Sequence, residues 1–146
     1  MSFKIQKAKD KQIEEIKVLL AKHMLPIDDI QSSHIDFLAV TQKQKVIGAI
    51  GVELYQNTGL LRSLVVDSEY RNHGLGKKLI NALIQNCISN KVDELYLLTS
   101  TSVLFFEKLG FKIIERENIP QRISQTEQFK TLCPSSAIAM YKKLIN

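Results

Sequence analysis

One segment of the chain combines glycines and basic side chains in an order suited to binding an anion. Residues 64–79 read LVVDSEYRNHGLGKKL, so an apolar stretch runs into a short loop and the pattern Arg-x-x-Gly-x-Gly opens an amphipathic helix. Gly74 and Gly76 let a ligand approach the backbone closely. Free amides and the dipole at a helix start favour phosphate groups, and Arg71 and Lys77 add full positive charges. The segment therefore predicts an anion cradle that suits a pyrophosphate.

The motif alone leaves a second interpretation open, a plain glycine-rich turn that leads into a surface helix. It lacks the third glycine and the later acid of a dinucleotide-binding fingerprint, and the Gly-Lys-Ser/Thr ending of a P-loop. Lys77 and Lys78 stand in the first helical turn, where positive side chains oppose the helix dipole. A bound phosphate explains these two lysines better than helix stability does.

Glu53 is the strongest candidate for a general base. It interrupts an apolar stretch, AIGVEL at positions 49–54, where a carboxylate can accept a proton from an attacking ammonium group directly or through water. The alternative is a glutamate at the edge of a strand or on its solvent face.

The histidines and cysteines predict no metal site. His23, His34 and His73 have no metal-ligand spacing. Cys87 falls on the apolar face of a predicted helix and is expected in the core. Cys133 is either a reactive thiol or, as we favour, a small buried hydrophobe.

The elements that must position these residues mix strands with helices. Apolar periodicity predicts strands at 3–7, 37–41, 46–55, 60–66, 94–98, 111–114 and 137–141, and helices after Asp10, at 75–89, at 102–109 and, weakly, at 121–129. Asp10 is the expected cap of the first helix, and residues 26–34 form a loop. Gaps 42–45 and 56–59 have hairpin length, which makes the strands around them an antiparallel meander. We expect one domain over residues 1–146, an α/β fold with a mixed, mostly antiparallel central sheet and helices on both faces.

The loop at 56–59 also predicts a register. Tyr55 would face Leu60, which places Glu53 directly opposite Arg62 on the same face of the sheet. One interpretation is a cross-strand ion pair. The other is that Arg62 binds the carboxylate of an acceptor molecule while Glu53 takes the proton from its α-amine.

Composition excludes several classes of protein. The chain of 146 residues is 45% hydrophobic and 24% charged, with a net charge of +5, which is ordinary for a single globular domain. No stretch approaches the roughly 18 apolar residues of a membrane span, and the first residues show no apolar leader. The lysines are spread out without interleaved aromatics, which argues against a nucleic-acid partner. We expect a cytoplasmic protein with reduced thiols, as a monomer or homodimer, without metal.

The sequence resembles the GNAT superfamily of acetyltransferases along essentially the whole chain. The resemblance rests on Leu64-Val65-Val66 before the loop, on Arg71-Asn72-His73-Gly74-Leu75-Gly76, and on two later segments, LYLLT at 95–99 and FFEKLGF at 105–111. More narrowly, LLRSL at 60–64 and the segment from Phe129 to Ala137 resemble the subgroup associated with arsenic-resistance operons.

The resemblance implies an acyltransferase that moves the acetyl group of acetyl-CoA to the primary amine of a small molecule by direct transfer in a ternary complex. In such a fold the strands at 60–66 and 94–98 diverge, and the pantetheine arm lies between them. An α-amino acid or analogue is the expected acceptor, bound by Arg62 and Ser63. A protein amine, or a catalytically silent acyl-CoA sensor, is the alternative. The implied cofactor-binding residues are Leu64, Val66, Arg71, Asn72, His73, Gly74, Leu75, Gly76, Lys77 and Phe106.

The chain departs from the family pattern at the acid that protonates the departing thiolate. Family members often have a tyrosine where this chain has Phe106, and phenylalanine carries no proton to donate. An asparagine common nearby is replaced by hydroxyl residues at 99–101. Either Ser102 or water substitutes, or the thiolate leaves without an acid. The predicted catalytic residues are therefore Glu53 and Ser102.

Overall fold

The computed structural model describes residues 2–30, 34–132 and 136–144, which form a mixed α/β structure. The strands are β1 (Lys4–Lys7), β2 (Ile35–Gln42), β3 (Lys45–Tyr55), β4 (Thr58–Val66), β5 (Glu94–Thr99), β6 (Lys112–Ile113) and β7 (Ile138–Lys143). The α-helices are α1 (Gln12–Lys22), α2 (Leu75–Ser89), α3 (Val103–Lys108) and α4 (Gln121–Ser124). Short 3-10 turns cover Ser68–Tyr70 and Arg116–Asn118, and a π-helical turn covers Gln128–Leu132.

The seven strands form one sheet in the order β1-β2-β3-β4-β5-β7-β6. Among the described strands only β4 and β5 pair in parallel, while the other neighbours are antiparallel. Hairpins join β2 to β3 and β3 to β4, which confirms the expected meander. The predicted fold class, a mixed and mostly antiparallel sheet with helices, is confirmed as well.

Helices cover both faces of this sheet because each helix carries one apolar side. On the first face, the buried side of α2, including Leu79 and Leu83, packs on Ile50 and Val52 of β3. On the second face, α1 packs on Phe37 and Ala49, forming one apolar cluster. A separate cluster on that second face joins Ile123 of α4 to Leu60 and Tyr96.

The predicted hairpin register between β3 and β4 is wrong by two residues. Tyr55 pairs with Thr58, Glu53 with Leu60, and Gly51 with Arg62. The connection is a two-residue turn rather than the four-residue loop expected, because Gln56 adopts a φ of 58°. A left-handed residue in this place gives the twist that a tight hairpin needs.

The predicted capping of α1 by Asp10 is also wrong. The helix begins at Gln12, its cap residue is Lys11, and no side chain caps it. The Gln12 side chain instead accepts a hydrogen bond from the backbone N–H of Lys9 at 2.8 Å. The start of the helix is therefore held by its own first residue.

Candidate active site

The sheet opens where β4 and β5 stop pairing. These strands are bonded only from Thr58↔Glu94 to Leu60↔Tyr96, although β5 continues alongside β7 up to Thr99. A cleft of about 540 Å³ fills the gap beyond. Beyond Leu60, the edge of β4 that faces this cleft pairs with no described strand, so its backbone N–H and C=O groups are open to an extended ligand, which would bind as a further strand.

A β-bulge in β4 lies at the start of the gap. Ala49 pairs with Val65 and Gly51 with Arg62, so Ile50 alone stands opposite two residues, Ser63 and Leu64. Ser63 has a φ of 58°, in the left-handed region. A bulge bends its strand, and this bend accompanies the divergence of β4 from β5.

The walls of the cleft are apolar or carry neutral hydroxyl and amide groups. Its apolar lining consists of Met24, Leu25, Pro26, Leu61, Leu64, Leu97, Leu98, Phe105, Phe106 and Ala137. Its neutral polar lining consists of Ser63, Thr99, Ser100, Thr101, Ser102 and Gln128. Within the described ranges, Arg62 is the one charged residue of the lining.

The predicted anion cradle lies at the start of α2. Gly74 precedes the helix with a φ of 70°, and no side chain caps it. Lys78 donates to the Gly74 carbonyl at 3.1 Å, which leaves the amides of residues 75–77 without partners inside the helix. Apart from its chain neighbours, no described atom lies within 4 Å of the place where a Cβ on Gly74 would stand. Open space thus adjoins the free donors of this helix start, and this arrangement fits a pyrophosphate.

The side chains of the loop before α2 fold back onto the protein. Arg71 donates through Nε to the Val66 carbonyl at 3.4 Å, and its Nη2 lies 3.3 Å from Nδ1 of His23. The His73 ring packs against Phe3, with ring centres 5.6 Å apart. His73 therefore presents mainly its backbone to the cradle, and the Val66 carbonyl already accepts one bond.

A buried ion cluster lies behind the cleft wall, on the second face of the sheet. Arg62 donates from Nη1 to Asp29 Oδ2 at 2.5 Å and from Nη2 to Asp29 Oδ1 at 2.7 Å. Its Nη1 also donates to Glu53 Oε2 at 2.8 Å. The hydroxyl of Tyr55 donates to the other oxygen of Glu53. The side chain of Arg62 is 0% exposed, so the cluster is enclosed by protein.

The cluster controls the ionisation of its members. Burial opposes the charge of Arg62, but the hydrogen bonds to Asp29 and Glu53 outweigh it and raise the pKa of the guanidinium. Burial, reinforced by the bond to Glu53, raises the pKa of the Tyr55 hydroxyl. Arg62 is therefore charged and Tyr55 neutral at any physiological pH.

The structure brings Glu53 and Arg62 together by a route other than the predicted one. They are diagonal rather than direct cross-strand neighbours, and they touch because the arginine side chain is long. Arg62 is not free to bind a carboxylate, since Asp29 already occupies both ends of its fork. Glu53 does not line the cleft. The roles predicted for Glu53 and Arg62 remain predictions.

Sequence reasoning missed Asp29. This acid lies in the loop between α1 and β2 and is 4% exposed. The signal available was weak: Asp29 is the second of two adjacent acids in the loop at 26–34. Nothing in the local pattern connects it to Arg62, which is 33 residues away.

The start of α3 brings a hydroxyl and an aromatic ring to the other side of the cleft. Ser102 precedes the helix, its amide donates to Thr99 Oγ1 at 3.0 Å, and its own side chain makes no capping bond. Phe106 is 6% exposed and packs edge-on against Phe105 and Phe111. The described cleft thus has no phenol at the place of the family tyrosine, and the Ser102 hydroxyl is available to a ligand.

Other features bear less on the site. Cys87 is fully buried in the apolar cluster around α2, a core residue as expected, and this burial raises the pKa of its thiol to about 12. Cys133 lies outside the described residues. Within those residues no group of His, Cys, Asp and Glu is arranged to hold a metal ion. The described helices include none long and apolar enough to cross a bilayer.

A sheet split at a bulge, with a helix start of free amides beside it, is the arrangement of an acyltransferase that uses an acyl-CoA. The family model for the acetyltransferase (GNAT) domain matches residues 5–130. The chain therefore belongs to the GNAT family and is an N-acetyltransferase.

Known proteins agree with this assignment. An uncharacterised N-acetyltransferase of Chlorobaculum tepidum is 35% identical over 114 residues, which cover 75% of this chain and 71% of that protein. A GNAT-family acetyltransferase structure from Staphylococcus aureus matches 99% of this chain and 100% of its own, with a TM-score of 0.79 and 24% identity. N-acetylglutamate synthase from Neisseria gonorrhoeae, solved with coenzyme A and N-acetylglutamate, matches all of this chain and 36% of its own, with a TM-score of 0.83 and 14% identity.

Proposed function

We propose that this enzyme transfers the acetyl group of acetyl-CoA to the primary amine of a small molecule in a ternary complex. The supporting observation is that the cleft and the cradle meet. Phe105 lines the cleft, and its Cζ lies 3.5 Å from the place where a Cβ on Gly76 would stand. A ligand with a pyrophosphate at the start of α2 can therefore continue into the gap between β4 and β5.

Each part of acetyl-CoA finds suitable groups along this path. Free amides at residues 75–77, with Arg71 and Lys77 nearby, would hold the pyrophosphate. The unpaired edge of β4 at Leu64 and Val66 would bind the amide groups of the pantetheine arm. Acetyl-CoA supplies the activated acetyl group. Holding it beside the amine makes the reaction effectively unimolecular, which is a large part of the rate.

The reaction itself needs one bond made and one broken. The amine nitrogen attacks the thioester carbonyl carbon, the C–S bond breaks, and CoA leaves as a thiolate. The acceptor ammonium loses two protons, of which one ends on the thiolate and the other goes to solvent. We propose Glu53 as the base. Because Glu53 is 2% exposed and lies behind the cleft wall, water that enters past Arg62 must relay the first proton to it.

The lining favours an acceptor whose body is neutral. Arg62 is balanced by two carboxylates, and no other described lining residue is charged. Residues 31–33 and 133–135, outside the described ranges, read QSS and CPS and add no charge. A polycationic acceptor therefore finds no anionic partner in the lining. An α-amino acid finds the fork of Arg62 occupied, and binding of its carboxylate there requires Asp29 to leave.

The test is a screen of matched acceptors, with release of free CoA as the measurement. We expect a simple amine such as 2-phenylethylamine to exceed phenylalanine in kcat/KM, and spermidine and a lysine-containing peptide to be poor. A preference of tenfold or more for phenylalanine would restore Arg62 as a carboxylate ligand. A preference for the peptide would make the enzyme a protein acetyltransferase. The narrower resemblance to the arsenic-resistance subgroup names no acceptor.

The absence of a phenol at Phe106 favours one other candidate, a silent acyl-CoA sensor. Such a protein would bind acetyl-CoA without turnover. Thermal stabilisation by acetyl-CoA with no CoA release for any amine would support it over the transferase.

A further inference from the structure

The hydroxyl of Ser63 has a position and a free proton that point to a role in the transfer step. We propose, on the basis of the acetyl transfer proposed above, that Ser63 donates a hydrogen bond to the thioester carbonyl oxygen as the amine attacks. Asp29 is the positioning residue, because it holds Arg62 and Arg62 holds Ser63.

The hydrogen bond that Ser63 accepts determines where its own proton can point. The Ser63 Oγ accepts a hydrogen bond from Nε of Arg62 at 3.1 Å. A guanidinium has no acceptor site, so the O–H of Ser63 cannot point back at Arg62. The described residues give that proton no hydrogen-bond acceptor, and Ser63 is a half-buried residue of the cleft lining. The hydroxyl is therefore a donor available to a ligand.

The guanidinium of Arg62, which orients this hydroxyl, is itself held in one orientation. Both of its terminal nitrogens are bonded to Asp29, and Nη1 is also bonded to Glu53. All three side chains are buried. With the guanidinium plane held in this way, the direction of its Nε–H towards Ser63 is held too, so the donor is preorganised before any ligand binds.

The backbone gives an independent reason to assign Ser63 a role. Its φ of 58° is in the region that glycine adopts freely and other residues rarely do. Every other described non-glycine residue with positive φ lies in a turn or loop, whereas Ser63 lies inside a strand. A glycine would satisfy the bulge without strain. A serine there indicates that the side chain is needed, since strain of this kind concentrates at functional sites.

The chemistry of the acetyl transfer indicates which ligand atom the Ser63 hydroxyl should contact. The attacking nitrogen needs its lone pair free, so a donor aimed at it would slow the attack. The carbonyl oxygen gains negative charge as the C–N bond forms, and a fixed donor stabilises that charge. The proton stays on Ser63, no bond to the serine forms, and the charge passes on to the leaving thiolate when the C–S bond breaks.

The decisive variant is Ser63→Gly, because glycine accepts the left-handed backbone while the hydroxyl is removed. Relief of backbone strain opposes the loss of the acceptor for Arg62 Nε, so the protein should stay folded. Loss of the donor should lower kcat by about 100-fold, with KM for the amine and the thermal shift with acetyl-CoA unchanged. A serine with a structural role alone would leave kcat unchanged whatever the change in Tm, which would overturn the proposal. A raised acceptor KM at constant kcat would overturn it too, by making Ser63 an acceptor ligand.

The role of Asp29 is tested by a double-mutant cycle. Asp29→Asn should lower kcat in the wild type and add little in a Ser63→Ala background, because both changes remove the same bond. Equal losses in both backgrounds would refute positioning through Ser63. Asp28→Asn, an exposed neighbouring acid, is the control and should leave kcat unchanged. Wild-type protein that binds acetyl-CoA but acetylates no amine would refute the transfer reaction itself. Full activity in Ser63→Gly would refute only the role of Ser63.

Discussion

Replacement of Gly74 by alanine separates binding of the cofactor from stability of the fold. The φ of 70° is unfavourable for alanine, but the new methyl group would meet no atom within 4 Å. Only backbone strain is then introduced, about 1 kcal/mol. For a domain of this size that lowers Tm by about 3 °C. The variant should therefore fold.

The effect of this substitution on acetyl-CoA binding should be much larger than its effect on stability. The methyl group enters the open space beside the free amides, where we expect it to crowd a bound phosphate. At 100 times its Kd, acetyl-CoA stabilises the wild type by about 2.7 kcal/mol, or about 8 °C in Tm. If the variant binds acetyl-CoA 100-fold more weakly, the same concentration stabilises it by only about 0.4 kcal/mol, which raises Tm by about 1 °C. Differential scanning fluorimetry resolves these two shifts.

A matched control is available at Gly110, the other described glycine with positive φ. Its φ is 94°, and an added Cβ would contact only the flexible end of Lys142. Gly110→Ala should lose a similar amount of stability and keep the full shift with acetyl-CoA. If Gly74→Ala also keeps the full shift, the cradle is not at this helix start. If both variants lose it, the loss reports general destabilisation.

Two further predictions concern the missing acid and the buried cluster. Phe106→Tyr should leave kcat within several-fold of the wild-type value, because the site operates without a phenol. A large loss of kcat in Ser102→Ala at unchanged Tm would identify Ser102 as the proton donor. Stopped-flow or steady-state release of CoA measures both. Arg62→Met should cost about 3–5 kcal/mol in urea unfolding at pH 8, because Asp29 and Glu53 are left as unpaired buried charges. A deficit below about 1 kcal/mol, the value of an exposed ion pair, would contradict this account.

Regular elements with strong periodicity were predictable from the sequence. The bounds expected for the main helix, 75–89, agree with α2 because its apolar residues repeat at helical spacing and glycines mark its start. The order of strands and helices was confirmed for the same reason. The β3–β4 turn was not predictable in detail, because Gln56 takes a positive φ without the glycine or asparagine that usually signals it.

The parts of the site that depend on contacts between residues distant in the sequence could not be predicted from hydrophobic periodicity. The Asp29–Arg62 pair joins a loop to a strand, and no periodic pattern connects them. The left-handed backbone of Ser63 is likewise invisible, because the residue type there is not one that the conformation favours. A register error of two residues still placed Glu53 beside Arg62, since residues two apart on a strand share a face.

The charged cluster is better explained by function than by stability. It stands between the two apolar clusters on the second face of the sheet, where hydrophobic side chains would pack as well. Buried ion pairs of this kind are often no more stabilising than apolar residues of the same volume. What apolar residues cannot do is direct an N–H at Ser63 from inside the protein. The cluster lies where pairing between β4 and β5 ends and where the bulge places Ser63 in the lining of the cleft. One irregularity in β4 thus opens the sheet for a ligand and presents to that ligand a donor whose orientation is held from behind.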